Sequence, residues 1–415
     1  MNITQVLDQE KCCGCSACVA ICPRNCISME KDEQGFLRPK IAINSCVDCG
    51  KCEKTCPALH FKEARIPLKV WAAKNCEEKV RLSSSSGGIF MALAQVIIER
   101  GGVVFGAKFD DDWSVVHDYA ETMERVIAFS GSKYLQSRME DCFDRAKRFL
   151  DDGRWVLFTG TQCQIKGLKC FLGHDYQRLL TVDIICHGVP SPMVWNDYLL
   201  YIRQQQIYGY NIDPAFKKLP IIEGICFRDK SKSWKESGLV FHFRKSGKET
   251  NKSTYSSTTD EKNECWSTYD KLYNNLYFQG FLYNLFLRPS CYDCPAKNGR
   301  SQSDMTIGDY WGLPETLKNW DDDRGISIVL VYTEKGSSIM EELNIEKAIT
   351  TYEDGLKANQ SIAISVTKPR LATYFWKTYP NKKIKTIEIC LNKMQPSIIY
   401  RALRKIYRTI KRIIR

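Results

Sequence analysis

One cysteine pattern, written twice in the first sixty residues, limits this chain more than any other feature in it. Cys12, Cys15, Cys18 and Cys22 follow C-x2-C-x2-C-x3-C with Pro23 next, and Cys46, Cys49, Cys52 and Cys56 repeat it with Pro57 next. The chain has 20 cysteines, enough for a disulfide framework. Its N-terminus, Met-Asn-Ile-Thr-Gln, lacks the basic and apolar stretches of a secretory leader, so a cytoplasmic chain with reduced thiols is expected. Those thiols are then available for metals or chemistry.

The spacing decides between metals. Structural zinc uses paired C-x2-C knuckles and needs no third and fourth cysteine followed by proline in each half. The repeated run is that of two-cluster bacterial ferredoxins, where three cysteines hold one 4Fe-4S cluster and the fourth crosses to the other. Cys12, Cys15, Cys18 and Cys56 are therefore expected around one cluster, and Cys46, Cys49, Cys52 and Cys22 around the second. A cubane offers its iron corners within a few ångströms, so a short loop must turn three thiolates inward in quick succession. Gly14 and Gly50 sit inside those loops. Eight other cysteines, Cys13, Cys26, Cys76, Cys142, Cys170, Cys226, Cys265 and Cys390, show no ligand spacing and read as small core residues.

A ferredoxin can stop near residue 60, but this chain has 415 residues. That length predicts two or three domains, and 44% hydrophobic with 26% charged residues is the usage of an ordinary globular protein. No apolar run approaches the roughly 20 residues that span a bilayer. A one-electron relay joined to a large domain points to two-electron chemistry behind it, for which a flavin is the common adapter.

From Ile66 the pattern alternates between strand and helix. Lys69–Ala73 reads as a strand, Ser83–Gly88 as a loop, Ile89–Arg100 as a helix and Val103–Phe109 as a strand. Serines and glycines before a helix suit a phosphate, although an N-cap with a flexible loop explains them equally simply. A second unit has the strand Trp155–Phe158, the loop Thr159–Gln164, the helix Ile165–Leu172 and the strand Leu179–Ile185. Cys163 and Cys186 thus fall just past the carboxyl ends of strands, the edge where open α/β sheets place ligands. Cys291 and Cys294 form a further C-x2-C, two thiolates short of a four-coordinate site. Together the four are expected to hold a third 4Fe-4S cluster.

The stretches SSSSGGIF (from Ser83), GSKYLQS (from Gly131), GTQCQIKGLK (from Gly160), CHGVPSP (from Cys186), FRDKS (from Phe227), LRPSCYDC (from Leu287) and SDMTIGDYWG (from Ser303) carry a resemblance. In this order they resemble the coenzyme F-420 hydrogenase/dehydrogenase beta-subunit family, in a form with a ferredoxin module at the N-terminus. The resemblance implies FAD and supports the third cluster. It places the flavin among Ser85, Ser86, Gly87 and Gly88, with Lys133, Tyr134, Gln136 and Ser137 nearby. Gly160, Thr161, Gln162 and Gln164 would approach its phosphates or ring; the family usually has proline where this chain has Gln162. Asp304, Asp309 and Trp311 would close the site from the far side. His187, Lys133 and Asp309 are the candidate catalytic groups, and Lys133 and Arg228 candidates for an anionic flavin or substrate group.

The expected fold class is α/β, α+β overall. A ferredoxin-like module (1–60) precedes a larger α/β flavin- and iron-sulfur-binding domain (61–380, with parts 61–150 and 151–345) and a basic tail (381–415). Residues 397–415 carry seven basic side chains and no acid, with Ile399, Leu403, Ile406 and Ile410 at helical spacing. Such a stripe suits the inner face of an anionic membrane or an acidic partner. Seven of the twelve net positive charges lie there, so the balance gives no reason to expect nucleic-acid binding. The expected function is electron transfer between ferredoxin-type clusters and a small-molecule substrate through FAD, with a ferredoxin or another reductase subunit as redox partner. The alternative is an electron-transfer subunit of a multi-protein reductase or hydrogenase-type complex without its own substrate site.

Overall fold

The computed structural model describes residues 2–60, 62–209, 219–245 and 265–394. The N-terminal module is built on a hairpin of β1 (Ile27–Lys31) and β2 (Leu37–Ile41), paired antiparallel from Ile27 opposite Ile41 to Lys31 opposite Leu37. Its two cysteine loops are made alike. Each has left-handed residues at the same two places, Gly14 (φ 69°) and Ser16 (φ 63°) in the first, Asp48 (φ 48°) and Gly50 (φ 69°) in the second. Two such reversals inside seven residues turn successive thiols toward one point, and glycine supplies one of them in each loop without steric cost.

The remaining strands are β3 (Lys69–Asn75), β4 (Val103–Phe109), β5 (Val115–Ala120), β6 (Val156–Thr161), β7 (Leu179–Ile184), β8 (Ile221–Asp229), β9 (Gly238–Arg244), β10 (Cys265–Lys271), β11 (Met305–Asp309), β12 (Ser327–Val331) and β13 (Ile345–Ile349). Eight of them form one sheet in the order β13-β3-β12-β11-β7-β6-β4-β5, and β8, β9 and β10 form a separate antiparallel sheet. The four central strands β4, β6, β7 and β11 are parallel, while β3, β5, β12 and β13 pair antiparallel. Parallel strands are covered on both faces and read as continuous apolar runs, as Val103–Phe105, Val156–Phe158 and Leu179–Leu180 do. The helix Ile89–Glu99 packs with Val104, Leu157 and Leu180 in one core layer. Helices Cys142–Asp151 and Gln162–Leu172 cover Val103, Phe105, Val156 and Phe158 in another.

That second layer also contains Cys13, Cys15 and Ala17, so the N-terminal module sits directly on the helices that flank β4 and β6. Helix Gln162–Leu172 starts three residues earlier than the apolar pattern predicts. Thr161 and Gln164 make a capping box, Thr161 N donating to Gln164 Oε1 at 2.9 Å, which satisfies the helix start and puts Cys163 on its first turn rather than in a loop.

Helices Ala372–Lys382 and Lys385–Met394 close the described chain. Their Phe375, Tyr379, Ile387 and Cys390 are fully buried in the aromatic core around Trp195, Tyr277 and Phe286. Residues 381–394, expected in the tail, therefore belong to the domain core. The basic stripe at 397–415 lies outside the described residues. Among the described residues, no helix is long and apolar enough to cross a membrane.

Candidate functional site

The structure sorts the cysteines into three groups. Cys12, Cys15, Cys18 and Cys56 line one small cavity walled by Ile3, Leu7, Met29 and Pro39. Cys22, Cys46, Cys49 and Cys52 line another. The fourth cysteine of each run thus faces the first three of the other. Cys26 adds a further sulfur to the second cavity, 3.4 Å from that of Cys22; the start of β1 puts it there, which no spacing rule reveals. Among the described residues, no three His, Cys, Asp or Glu converge closely enough to share one metal ion. A cubane makes a different demand, because each thiolate binds its own iron corner.

The third group has a longer route. Cys163 stands on the first turn of its helix, Cys186 two residues past β7, Cys291 in the turn Pro289–Asp293 and Cys294 directly after it. Parallel pairing of β6 and β7 brings the first two together. The backbone contacts of Pro190 with Leu287, and of Arg288 N with Val189 O at 2.9 Å, bring in the other two. Burial pushes the Cys186 thiol up to about 12 and Cys294 up to about 11, and the neighbouring thiols add to both shifts. Lys297 opposes this, its ammonium donating to Cys186 O at 2.7 Å and Ser361 O at 2.8 Å. Four part-buried thiols with no carboxylate among them suit the donor set of a 4Fe-4S cluster, whose cationic core would let all four ionise.

Beside this group lies a cavity of about 720 Å³, within the usual ligand range. It opens at the carboxyl ends of β6, β7 and β11 and at the start of helix Ile89–Glu99, and Cys186, His187 and Gly188 form part of its wall. Of the residues expected around the flavin, Ser85, Ser86, Gly88, Lys133, Tyr134, Ser137, Gly160, Thr161, Gln164, Asp309 and Trp311 line it. Four expected residues do not. Gly87 is packed against the sheet, where a Cβ would come 2.5 Å from Ala73 O. Gln162 is buried beneath its helix start. Gln136 spends its amide on Cys13 O at 2.7 Å and on the Arg288 guanidinium at 3.0 Å. Asp304 is buried beside Thr181, whose N and Oγ1 both donate to it, and borders a different, basic cleft.

The cavity's polar groups are held in place rather than free. Lys133 donates to the carbonyls of Phe129, Ser130 and Gly131 at 2.9–3.3 Å, and burial pulls its pKa down to about 7. It organises its own loop, and Ser132 N of that loop donates to Ser85 Oγ at 2.6 Å. Burial also lowers the pKa of His187, whose Nε2 is 2.7 Å from Asn284 Oδ1. Arg228 pairs with Asp309 at 2.8 Å, lies over the Trp311 ring and leaves Nη2 without a partner, as Asp309 does Oδ1. Trp311 in turn stacks on Trp234 with centroids 4.3 Å apart.

His117 was not legible in the sequence. It is buried on β5, with Nδ1 2.6 Å from Ser137 Oγ and Nε2 2.8 Å from Thr159 O, and burial lowers its pKa from 6.5 to about 4. The unfolded chain then binds more protons than the folded one between those values. Stability from this group is full above pH 6.5 and lost as pH falls toward 4, by roughly 3 kcal/mol. Urea unfolding of wild type and His117→Gln at pH 7.5 and 5 should show the smaller pH slope in the variant; equal slopes would refute the assignment.

Residues 153–354 match the family model for the C-terminal part of the coenzyme F420 hydrogenase/dehydrogenase beta subunit, and residues 11–59 match the model "4Fe-4S dicluster domain". The F subunit of the F(420)H(2) dehydrogenase of Methanosarcina mazei is 21% identical over 203 residues, 45% of this chain and 56% of that protein. An uncharacterized ferredoxin of Methanocaldococcus jannaschii is 33% identical over 57 residues, 14% of this chain and 73% of that one. A chain of the F420-reducing NiFe hydrogenase complex of Methanosarcina barkeri has a TM-score of 0.40 and 18% identity, over 80% of this chain and 93% of that one. The chain spans about half the length of curated relatives such as the dehydrogenase component of Methanosarcina mazei. Behind a 4Fe-4S dicluster domain at residues 11–59, residues 153–354 of the chain belong to the coenzyme F420 hydrogenase/dehydrogenase beta-subunit family.

Proposed function

We propose that the chain is the iron-sulfur electron-transfer subunit of a multi-protein hydrogenase- or dehydrogenase-type complex, holding three 4Fe-4S clusters and one FAD. The observation that carries this reading is the double position of Cys186, which belongs both to the inner four-cysteine group and to the cavity wall. Electrons would enter at the outer cavity of Cys22, Cys46, Cys49 and Cys52, where Cys49 is exposed and the apolar Val47 and Ile43 face solvent. They would pass the site of Cys12, Cys15, Cys18 and Cys56, then the inner site, and so reach the cavity. FAD, when bound there, would convert single electrons into pairs.

The chain's own residues have distinct tasks in this reading. Ser85, Ser86 and the helix start Gly88–Phe90 suit the diphosphate, since hydroxyls and a helix N-terminus favour negative charge. Arg228 Nη2 and Asp309 Oδ1, buried and unpaired at the wall, suit polar ring atoms, and Trp311 an aromatic face. His187 and Lys133, which line the cavity with pKa values lowered by burial, suit proton exchange at the flavin.

Anaerobically reconstituted protein should contain about twelve iron atoms and about one FAD. Dithionite should bleach both chromophores, yet the chain alone should not turn over an organic substrate until a partner subunit is added. Material with full iron but no flavin uptake would end the FAD assignment. A second reading, a substrate site within this chain, is favoured by the polar segment Lys357–Ser361, which lines the cavity across from the sheet. Reduction of a deazaflavin by the isolated chain would establish it.

A further inference from the structure

One buried cation stands between the first N-terminal cysteine site and the inner site. Arg288 is 1% exposed. Its guanidinium donates to Cys12 O at 2.7 Å, Leu37 O at 2.7 Å and Gln136 Oε1 at 3.0 Å, and lies 5.1 Å from the Phe36 ring centroid. All of these are neutral groups, and among the described residues no carboxylate pairs with it. A buried charge with only neutral acceptors is costly unless another charge compensates it. The sites on either side offer that compensation, because a 4Fe-4S core with four thiolates is a dianion when oxidised and a trianion when reduced.

The backbone ties Arg288 to the inner site. It precedes Cys291 by three residues, accepts from Cys291 N at 2.9 Å, and donates to Val189 O at 2.9 Å beside Cys186. Its side chain crosses to the opposite loop, where Gly14 leaves room for it: a Cβ at Gly14 would come 2.5 Å from Arg288 Nη2. Cys13 completes the junction. Its thiol is in hydrogen-bonding reach of both Cys15 and Cys163, one ligand candidate from each site, and its carbonyl accepts from Gln136.

We propose that Arg288 raises the reduction potentials of both flanking clusters, the one held by Cys12, Cys15, Cys18 and Cys56 and the one held by Cys163, Cys186, Cys291 and Cys294, and so stabilises the transferred electron on either side of the step between them. This rests on the three-cluster reading above. The electron lost by one cluster is the electron gained by the other; no bond forms or breaks, and Arg288 stays protonated throughout. Net charge and hydrogen bonds around the sulfurs are among the factors that set cluster potentials, and a fixed positive charge favours the form with one more electron. Arg288 is thus a positioning and tuning residue for the step between two clusters.

Redox titration followed by electron paramagnetic resonance tests this on reconstituted full-length protein. Arg288→Gln should lower the reduced-to-oxidised ratio of both flanking clusters at a fixed potential by about tenfold, as a unit charge at moderate dielectric requires. The outer cluster, of Cys22, Cys46, Cys49 and Cys52, should titrate as in wild type. Arg288→Lys keeps the charge and should keep both potentials. Unchanged potentials in Arg288→Gln at full iron content would overturn the proposal. So would lowered potentials in Arg288→Lys at full iron, which decides the matter even if the glutamine variant fails to assemble. Wild type with about eight iron atoms would instead bring down the three-cluster reading itself, and the inner half of this proposal with it.

Discussion

Serine in place of Cys291 is expected to lower the iron content of the reconstituted chain from about twelve to about eight atoms, a loss confined to one cluster. Cys291 is a part-buried member of the inner group, and its sulfur accepts from Val189 N at 3.4 Å. A serine oxygen there is shorter and harder than a thiolate and leaves a neutral hydroxyl at a corner that needs a soft, charged donor. The eight N-terminal cysteines are untouched, so two of three cluster signals should persist. Any flavin bound in the cavity should then be reduced more slowly by a one-electron donor acting at the outer cluster, because the last relay before the cavity is gone. Iron and sulfide analysis with stopped-flow flavin bleaching checks both points. Retention of about twelve iron atoms in Cys291→Ser would rule out Cys291 as a ligand.

Legibility in the sequence followed how local each feature is. The grouping of the eight N-terminal cysteines could be anticipated because each loop is a few residues long and its turns are fixed by Gly14, Ser16, Asp48 and Gly50. The central strands were visible as apolar runs, since parallel strands are buried on both faces. Cys163 and Cys186 could be placed at strand ends, but only the adjacency of β6 and β7 joins them. Features that depend on two distant segments were invisible or misplaced. Gln136 was expected at the flavin and instead bridges Cys13 and Arg288, because the N-terminal module packs on that side of the motif. Asp304 was expected at the same site and is used to hold Thr181. Cys13 and Cys26, read as plain core residues, lie against ligand candidates only once the hairpin and the domain contact are formed. His117 looks like any strand residue until β5 pairs with β4 and covers it.

Removing the Arg228 guanidinium is expected to cost both stability and flavin retention, by separable routes. The ion pair with Asp309 is buried, with side-chain exposures of 5% and 17%, and Arg228 also donates to Ser237 Oγ at 2.8 Å and lies near Tyr134 OH at 3.4 Å. Arg228→Met leaves the Asp309 carboxylate buried with its cation gone, a change worth about 3–5 kcal/mol at comparable buried pairs. The double variant Arg228→Met/Asp309→Leu removes the stranded charge as well. It should recover most of that loss, because apolar groups of similar volume replace a buried pair at little net cost. Flavin content should behave differently. If the unpaired Nη2 and Oδ1 meet the flavin, both variants lose it, and the double variant does not regain it when its stability returns. Urea midpoints and flavin absorbance of the two proteins separate the effects. A double variant as unstable as the single one would show that Arg228 acts through its packing on Trp311 rather than through charge. A double variant that binds flavin normally would show that the pair only shapes the wall.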